Sequence, residues 1–278
     1  MQRAAQSAKK SLYVAYSIAP QNFMCYCRPD SRMGSPFKNS RSVAGKAVLQ
    51  PVVPILRGAE LAVAHIGDSN RESLYDFVRV SRNRVLFAFL GIADRAQEGA
   101  IVSAVQGTFR ARASELFVSD EVNEAEAMIE LCIHLNRSIL NAAGGVHSCP
   151  AFAGCYNEDL GTVCYFNAGH KPTLMRDSTS LSELGPTGLP LGLFSHVTCD
   201  ARIVALQPGA VLALVSGEVL EQRGKDGDES SLGPLMKSLQ QVQADSADKV
   251  CQAILGSIQV TIERSKANLG ALALLRSG

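Results

Sequence analysis

The chain carries almost no net charge: 27 Lys and Arg against 26 Asp and Glu leave +1 at neutral pH. No global field therefore argues for nucleic acid or a membrane surface as a partner. No stretch reaches the roughly 18 apolar residues that a membrane span needs. The run from Leu12 to Ala19 behind Lys9-Lys10 is broken by polar residues and has no small-residue cleavage site, which argues against a secretory signal. A cytoplasmic location is the expectation. Cysteine is sparse as well: eight residues (25, 27, 132, 149, 155, 164, 199 and 251) in 278 make no dense disulfide framework. Reduced, mostly buried thiols fit best. No Lys-Ser or Lys-Thr surrounds Gly188 or Gly192 in a strand-to-helix setting, so no nucleotide-phosphate loop is read there.

What is present suits one core, since 46% of the residues are hydrophobic. Residues 1–48 read as a basic, flexible N-terminal arm, with Arg3, Lys9, Lys10, Arg28, Arg32, Lys38, Arg41 and Lys46 against Asp30 alone. Residues 49–278 read as a single domain. Strands are expected at 59–65, 74–80 and 85–92, the last a near-continuous apolar run of the kind buried on both faces. Two helices follow, the second with Met128, Leu131, Cys132, Leu135 and Ile139 on one face, acids near its start, and Gly144-Gly145 as its stop. Strands return at about 151–156, 162–167, 172–176, 200–206 and 210–215. A polar loop at 222–231, a helix bearing Val250, Cys251, Ile254, Ile258 and Ile262, and a last strand at 271–275 complete an α+β layered pattern.

Two loops stand out, Asn167-Ala168-Gly169-His170 and Thr187-Gly188-Leu189-Pro190-Leu191-Gly192-Leu193. The first separates two apolar runs and reads as a hairpin connection, with Gly169 at a positive φ. The second, with two Gly and one Pro in seven residues, reads as a structural loop of fixed path. Their pairing resembles the PPM-type (protein phosphatase 2C-like) serine/threonine phosphatases of the bacterial sporulation and sigma-factor-regulation kind. That resemblance covers about Gly58 to Arg276. It implies a β-sandwich flanked by helices and, in an active member, two Mg or Mn ions held by carboxylates that activate water against phosphoserine or phosphothreonine.

Carried onto this chain residue by residue, the family's metal motifs are degenerate. The first acid falls on Ser73, in Arg71-Glu72-Ser73-Leu74-Tyr75-Asp76. The second falls on Gly91 by strand register, or on Asp94 when counted back from Gly99. The third falls on Ser216, and the fourth in the Ala267-Asn268-Leu269-Gly270 segment, on Ala267 or Asn268. Neutral replacements of this kind are physically linked, because clustered carboxylates without a cation repel one another and are costly to desolvate. The resemblance thus implies a catalytically inactive pseudophosphatase that binds a phosphorylatable protein regulator and needs no cofactor. The alternative is an active Mg- or Mn-dependent phosphatase with a rearranged site drawn from Asp68, Asp76, Asp94 and Glu218.

Bland readings stand beside the sharp ones. His170 is either a phosphate-contacting group or a hairpin-turn histidine bonded locally to backbone. His147, Cys149, Cys155, Cys164 and His170 invite zinc, but none has CxxC spacing, and Cys155 and Cys164 suit ordinary core positions. Cys25-Tyr26-Cys27 in the arm is too short a signal to assign.

Overall fold

The structure, a computed structural model, describes residues 51–66, 73–92, 98–216, 232–261 and 269–278. The basic arm of residues 1–48, the polar loop at 222–231 and Ile262 lie outside the described residues.

Two five-stranded antiparallel sheets face each other. One contains β1 (Ala59–Ile66), β6 (Thr173–Arg176), β7 (Leu181–Glu183), β9 (Val211–Val215) and β10 (Leu269–Arg276), in the order β1-β10-β9-β6-β7. The other contains β2 (Ser73–Arg79), β3 (Arg84–Gly91), β4 (Ala151–Asn157), β5 (Thr162–Ala168) and β8 (Arg202–Ala205), in that order. Helices α1 (Glu98–Leu116) and α2 (Glu124–Ala143) cover the outer face of the second sheet. Helices α3 (Leu232–Gln241) and α4 (Ala247–Thr261) cover that of the first. The result is four layers, helix, sheet, sheet and helix, with a separate apolar seam at each of the three contacts.

The sequence explains the layering. Strands β4 and β9 are buried along their whole length because each has helices on one face and the opposing sheet on the other. Alternation assigns the faces: Phe77, Phe87, Phe89, Phe152, Tyr165, Leu212, Leu214 and Leu272 fill the gap between sheets, while Leu74, Leu86, Leu90, Ala153 and Phe166 meet α1 and α2. Each buried Phe or Leu is worth about 2–3 kcal/mol over leaving it in water, so the intersheet seam is a main source of stability. Gly154 lies in register with Phe87, and a Cβ there would stand 2.6 Å from the ring's Cζ, so the ring needs that glycine. Helix α2 begins at Asn123, whose Oδ1 accepts from the N–H groups of Ala125 and Glu126, and ends at Gly144 with φ 64°.

Besides the short strand β7, which the sequence pattern does not mark, two features differ from that pattern. Helix α3 begins at Leu232-Gly233-Pro234, residues that look like breakers; proline is well suited to a first helical turn, and Leu235 and Leu239 anchor the helix in the core. The expected hairpin across Asn167–His170 does not form. Strand β5 pairs with β4 and β8, whereas β6 pairs with β7 and β9, so the chain crosses from one sheet to the other at this loop. Gly169 does take a positive φ, 75°, and a Cβ there would meet the Pro190 ring at 2.8 Å. No helix among the described residues is long and apolar enough to cross a membrane.

Candidate functional site

Of the positions singled out in the sequence as metal sites, Ser73, Gly91 and Ser216 are among the described residues, each at the end of its strand or just beyond it. Ser73 opens β2, Gly91 closes β3, and the two are cross-strand partners. Ser73 shares its strand face with Tyr75 and Phe77, and Gly91 with Phe87 and Phe89, so both positions belong to the intersheet side. From the other sheet, Ser216 follows β9 and is buried. Its backbone N–H donates to Gly270 O at 2.9 Å, and its Oγ accepts from the Gly270 N–H at 3.0 Å. Asp68, Asp94, Glu218, Ala267 and Asn268 lie outside the described residues.

Beside these positions sits a ring cluster. His65 on β1 stacks on Tyr75 with centroids 4.8 Å apart, and His170 meets Phe89 edge to face at 5.1 Å. Gly270 lies between the two pairs: it is the register partner of His65, and a Cβ there would stand 3.2 Å from His65 Nδ1 and 3.4 Å from Phe89 Cζ. In the sequence His65 reads only as a strand residue. Its alternation with Leu61 and Val63 is the signal that turns it inward.

His170 is not a hairpin-turn residue bonded to backbone through its ring. Its backbone N–H donates to Asn167 Oδ1 at 2.8 Å, and its Nδ1 lies 3.3 Å from Thr173 Oγ1. Its Nε2, like those of His65 and His147, is buried without a partner. Burial pushes the His170 imidazole down to about 4, and lowers that of His65. At neutral pH the His170 ring is therefore an uncharged, packed group.

The two signature loops support each other. Asn167 donates from Nδ2 to Leu184 O at 2.9 Å, its N–H donates to Thr187 Oγ1 at 3.0 Å, and its carbonyl accepts from the Thr187 N–H at 2.8 Å. Gly192, with φ 79°, donates its N–H to Asn136 Oδ1 at 2.7 Å. Asn136 Nδ2 in turn donates to Phe194 O at 2.9 Å, so α2 holds the end of the second loop. Leu191 reaches the core, whereas Leu189 and Phe194 remain exposed. Gly188 and Pro190 also serve packing: a Cβ on Gly188 would lie 2.6 Å from Thr198 O, and Pro190 closes over Gly169.

The described residues do not fit a Mg or Mn centre. Such ions need anionic oxygen ligands, and Ser73, Gly91 and Ser216 supply none, with Ser216 Oγ already bonded to Gly270. Asp76 faces the helix layer instead: Arg110 donates to both of its oxygens, at 2.7 and 2.8 Å. That engagement removes Asp76 from the rearranged acid set of the alternative site. No three His, Cys, Asp or Glu side chains gather in metal-binding fashion among the described residues. Of the residues that invited zinc, Cys155 and Cys164 are buried register partners in the helix-facing core, and Cys149 lies in the same cluster.

Two antiparallel sheets sandwiched between helix pairs, with the two loops at the sheet crossing, define a PPM-type (protein phosphatase 2C-like) fold. The chain belongs to the stage II sporulation protein E (SpoIIE) family, whose profile matches residues 96–268. Solved structures share the architecture at low identity. The RsbU and RsbW domains of a Mycobacterium tuberculosis protein superpose with TM-score 0.63 and 19% identity over 81% of this chain and 63% of that one. The phosphatase domain and regulatory fragment of SpoIIE from Bacillus subtilis give 0.63 and 11% over 79% and 62%. This chain thus spans less than two thirds of either. RsbX in complex with magnesium gives 0.57 and 11%, over 82% of this chain and all of that one. No curated protein matches the sequence.

Proposed function

We propose that this chain is a catalytically silent PPM-type domain, a pseudophosphatase that acts as a protein-binding regulatory module in phosphorylation-dependent, sigma-factor-type signalling. The observation that carries the reading is chemical. Where the family resemblance expects metal-binding acids, the described positions hold Ser73, Gly91 and Ser216, and the last is closed onto Gly270 by two hydrogen bonds. Without anionic ligands a hard divalent cation has nothing to compensate its lost hydration, and water is not activated. The partner is a phosphorylatable protein regulator, bound rather than dephosphorylated. The solved structures similar to this chain include one that contains the RsbU and RsbW domains of a Mycobacterium tuberculosis protein and one from work on the bacterial stressosome. The compartment that goes with this reading is the cytoplasm.

The test uses the purified full chain with Mn²⁺, an aryl phosphate and a phosphoserine protein. The expected result is hydrolysis no faster than buffer, and no Mn²⁺ binding by calorimetry. Hydrolysis that Asp94→Asn abolishes would overturn the reading and establish an active phosphatase with a rearranged metal site.

A further inference from the structure

Two stretches of the chain carry no Lys, Arg, Asp or Glu, one between Arg137 and Glu158 and one between Glu183 and Asp200. The fold brings them together. Cys149 and Leu191 form an isolated antiparallel bridge, each donating its N–H to the other's carbonyl, at 2.9 and 3.0 Å, and the His147 N–H donates to Gly192 O at 2.9 Å. Val146 and Phe194 therefore stand at the same end of this short ribbon, and both face water: Val146 is 74% exposed and Phe194 59%. Leu193, next to Phe194, is half-buried. Phe194 is held in place through its backbone. Asn136 Nδ2 donates to its carbonyl at 2.9 Å, and Asn136 Oδ1 accepts from the Gly192 N–H at 2.7 Å, so helix α2 fixes this end of the ribbon.

Single exposed apolar residues are ordinary on a protein surface, whereas a fixed group of them in an uncharged setting marks an interaction site. Val146, Leu193 and Phe194 leave on the order of 300 Å² of apolar surface in water per copy. A stable interface removes about 800 Å² from each partner, a little over half of it apolar, so these three side chains supply the larger part of the apolar area that one needs. The missing charge points to the occupant. A two-fold interface sets each residue near its own copy, so a charge close to the axis meets its like, and these two stretches have none to oppose. Exposed Ser148 and Ser195 add an uncharged polar rim.

We propose that this ribbon is the centre of a two-fold interface between two copies of the chain, with Phe194 of each packed on Val146 and Leu193 of the other. Sedimentation velocity of the full chain from about 1 to about 100 μM tests it. The expected result is a reversible monomer–dimer equilibrium that does not weaken between about 0.05 and about 0.5 M NaCl, because no charge pair holds it. Phe194→Asp raises the dissociation constant on the order of 100-fold, since a two-fold interface feels each substitution twice and seats the new charge beside its copy. Val146→Ser, a milder change at an exposed position, weakens association in the same direction. Leu160→Asp is the control: Leu160 is also exposed but lies in the turn beyond the opposite end of β4 from Cys149, and the variant keeps the dimer. A chain still monomeric at about 100 μM would overturn the proposal. So would a dimer that Phe194→Asp and Val146→Ser leave intact, one that Leu160→Asp disrupts equally, or one that salt disperses as it would an association through the basic arm.

Discussion

Asp76 and Arg110 form a two-pronged ion pair between the edge strand β2 and helix α1, with the carboxylate buried and the guanidinium about one third exposed. Asp76 Oδ1 also accepts from the Phe77 N–H at 2.9 Å, so the carboxylate is well satisfied. Arg110→Ala would leave that charge buried against Leu74 and the helix layer. The expected loss is about 2–4 kcal/mol, below the full cost of breaking a sealed pair because Arg110 reaches water. Urea unfolding measures it. A double-mutant cycle with Asp76→Asn should show coupling, because Asn leaves less charge to strand.

His170 gives a pH dependence. Its folded pKa, about 4, lies below the ordinary 6.5 because burial disfavours the charged ring. The unfolded chain therefore binds the extra proton first as pH falls. The stability contributed by the neutral ring is fully present above about pH 6.5 and is lost as pH falls toward 4, by about 3 kcal/mol over that window. His65, lowered for the same reason, adds in the same direction. Denaturant melts from pH 7.5 to 4.5 should show the decline, and His170→Gln should flatten it.

Much of this architecture is legible in the sequence, and the exceptions share a cause. Apolar runs locate β3, β4, β5 and β9, and the spacing of Met128, Leu131, Leu135 and Ile139 locates α2, because burial leaves a periodic trace. The crossing at Asn167–His170 is not legible. A left-handed glycine after a strand serves a hairpin and a change of sheet equally well, and only the partners of β5 and β6 distinguish them. Asp76 shows the same limit. Its alternation with Leu74 gives its face, but its partner Arg110 lies 34 residues away, and no local signal marks that pairing. Likewise, strand counting brings Gly91 to the end of β3, but only pairing puts it opposite Ser73.

Gly192 tests the second signature loop. Its φ of 79° is left-handed, and a Cβ would stand 2.1 Å from His147 O and 2.7 Å from Ile139 Cγ2. Neither a backbone carbonyl nor a fully buried isoleucine can move freely. Gly192→Ala should cost about 2–4 kcal/mol, combining backbone strain with overpacking. Gly185, where a Cβ would meet nothing within 4 Å and φ is not left-handed, is the control, and Gly185→Ala should leave the stability within about 0.5 kcal/mol of the parent by urea unfolding.

Glu158 anchors the segment that enters β1. Burial alone would raise its pKa, but hydrogen bonds from Arg79 and Arg57 outweigh that and hold it at about 2. Arg57 also reaches Asp159 and Arg82 O, while Arg79 donates to Ile55 O at 2.7 Å, so one carboxylate organises residues 55–57. Its contribution is fully present above about pH 4.5, the ordinary carboxylate value, and is lost progressively as pH falls toward about 2. Glu158→Gln removes the charge that holds both guanidiniums. Protease cleavage within residues 51–57 should then accelerate at neutral pH while the global melting temperature shifts little, since the network is largely at the surface.

Restoring acids at the degenerate positions probes the silent site directly. Aspartate placed together at Ser73, Gly91 and Ser216 adds three negative charges at strand ends, with Ser73 and Gly91 opposite each other and Ser216 buried. Without a cation these charges repel and are costly to desolvate, so the triple variant S73D/G91D/S216D should be less stable than the parent. Mn²⁺ should recover much of that loss and the parent should show no such response, because an ion that binds only the folded chain stabilises it by mass action. Melting temperature against Mn²⁺ concentration reads both effects. A parent that gains as much from Mn²⁺ as the triple variant would show that carboxylates elsewhere already hold the ion, and the silent-site reading would fail.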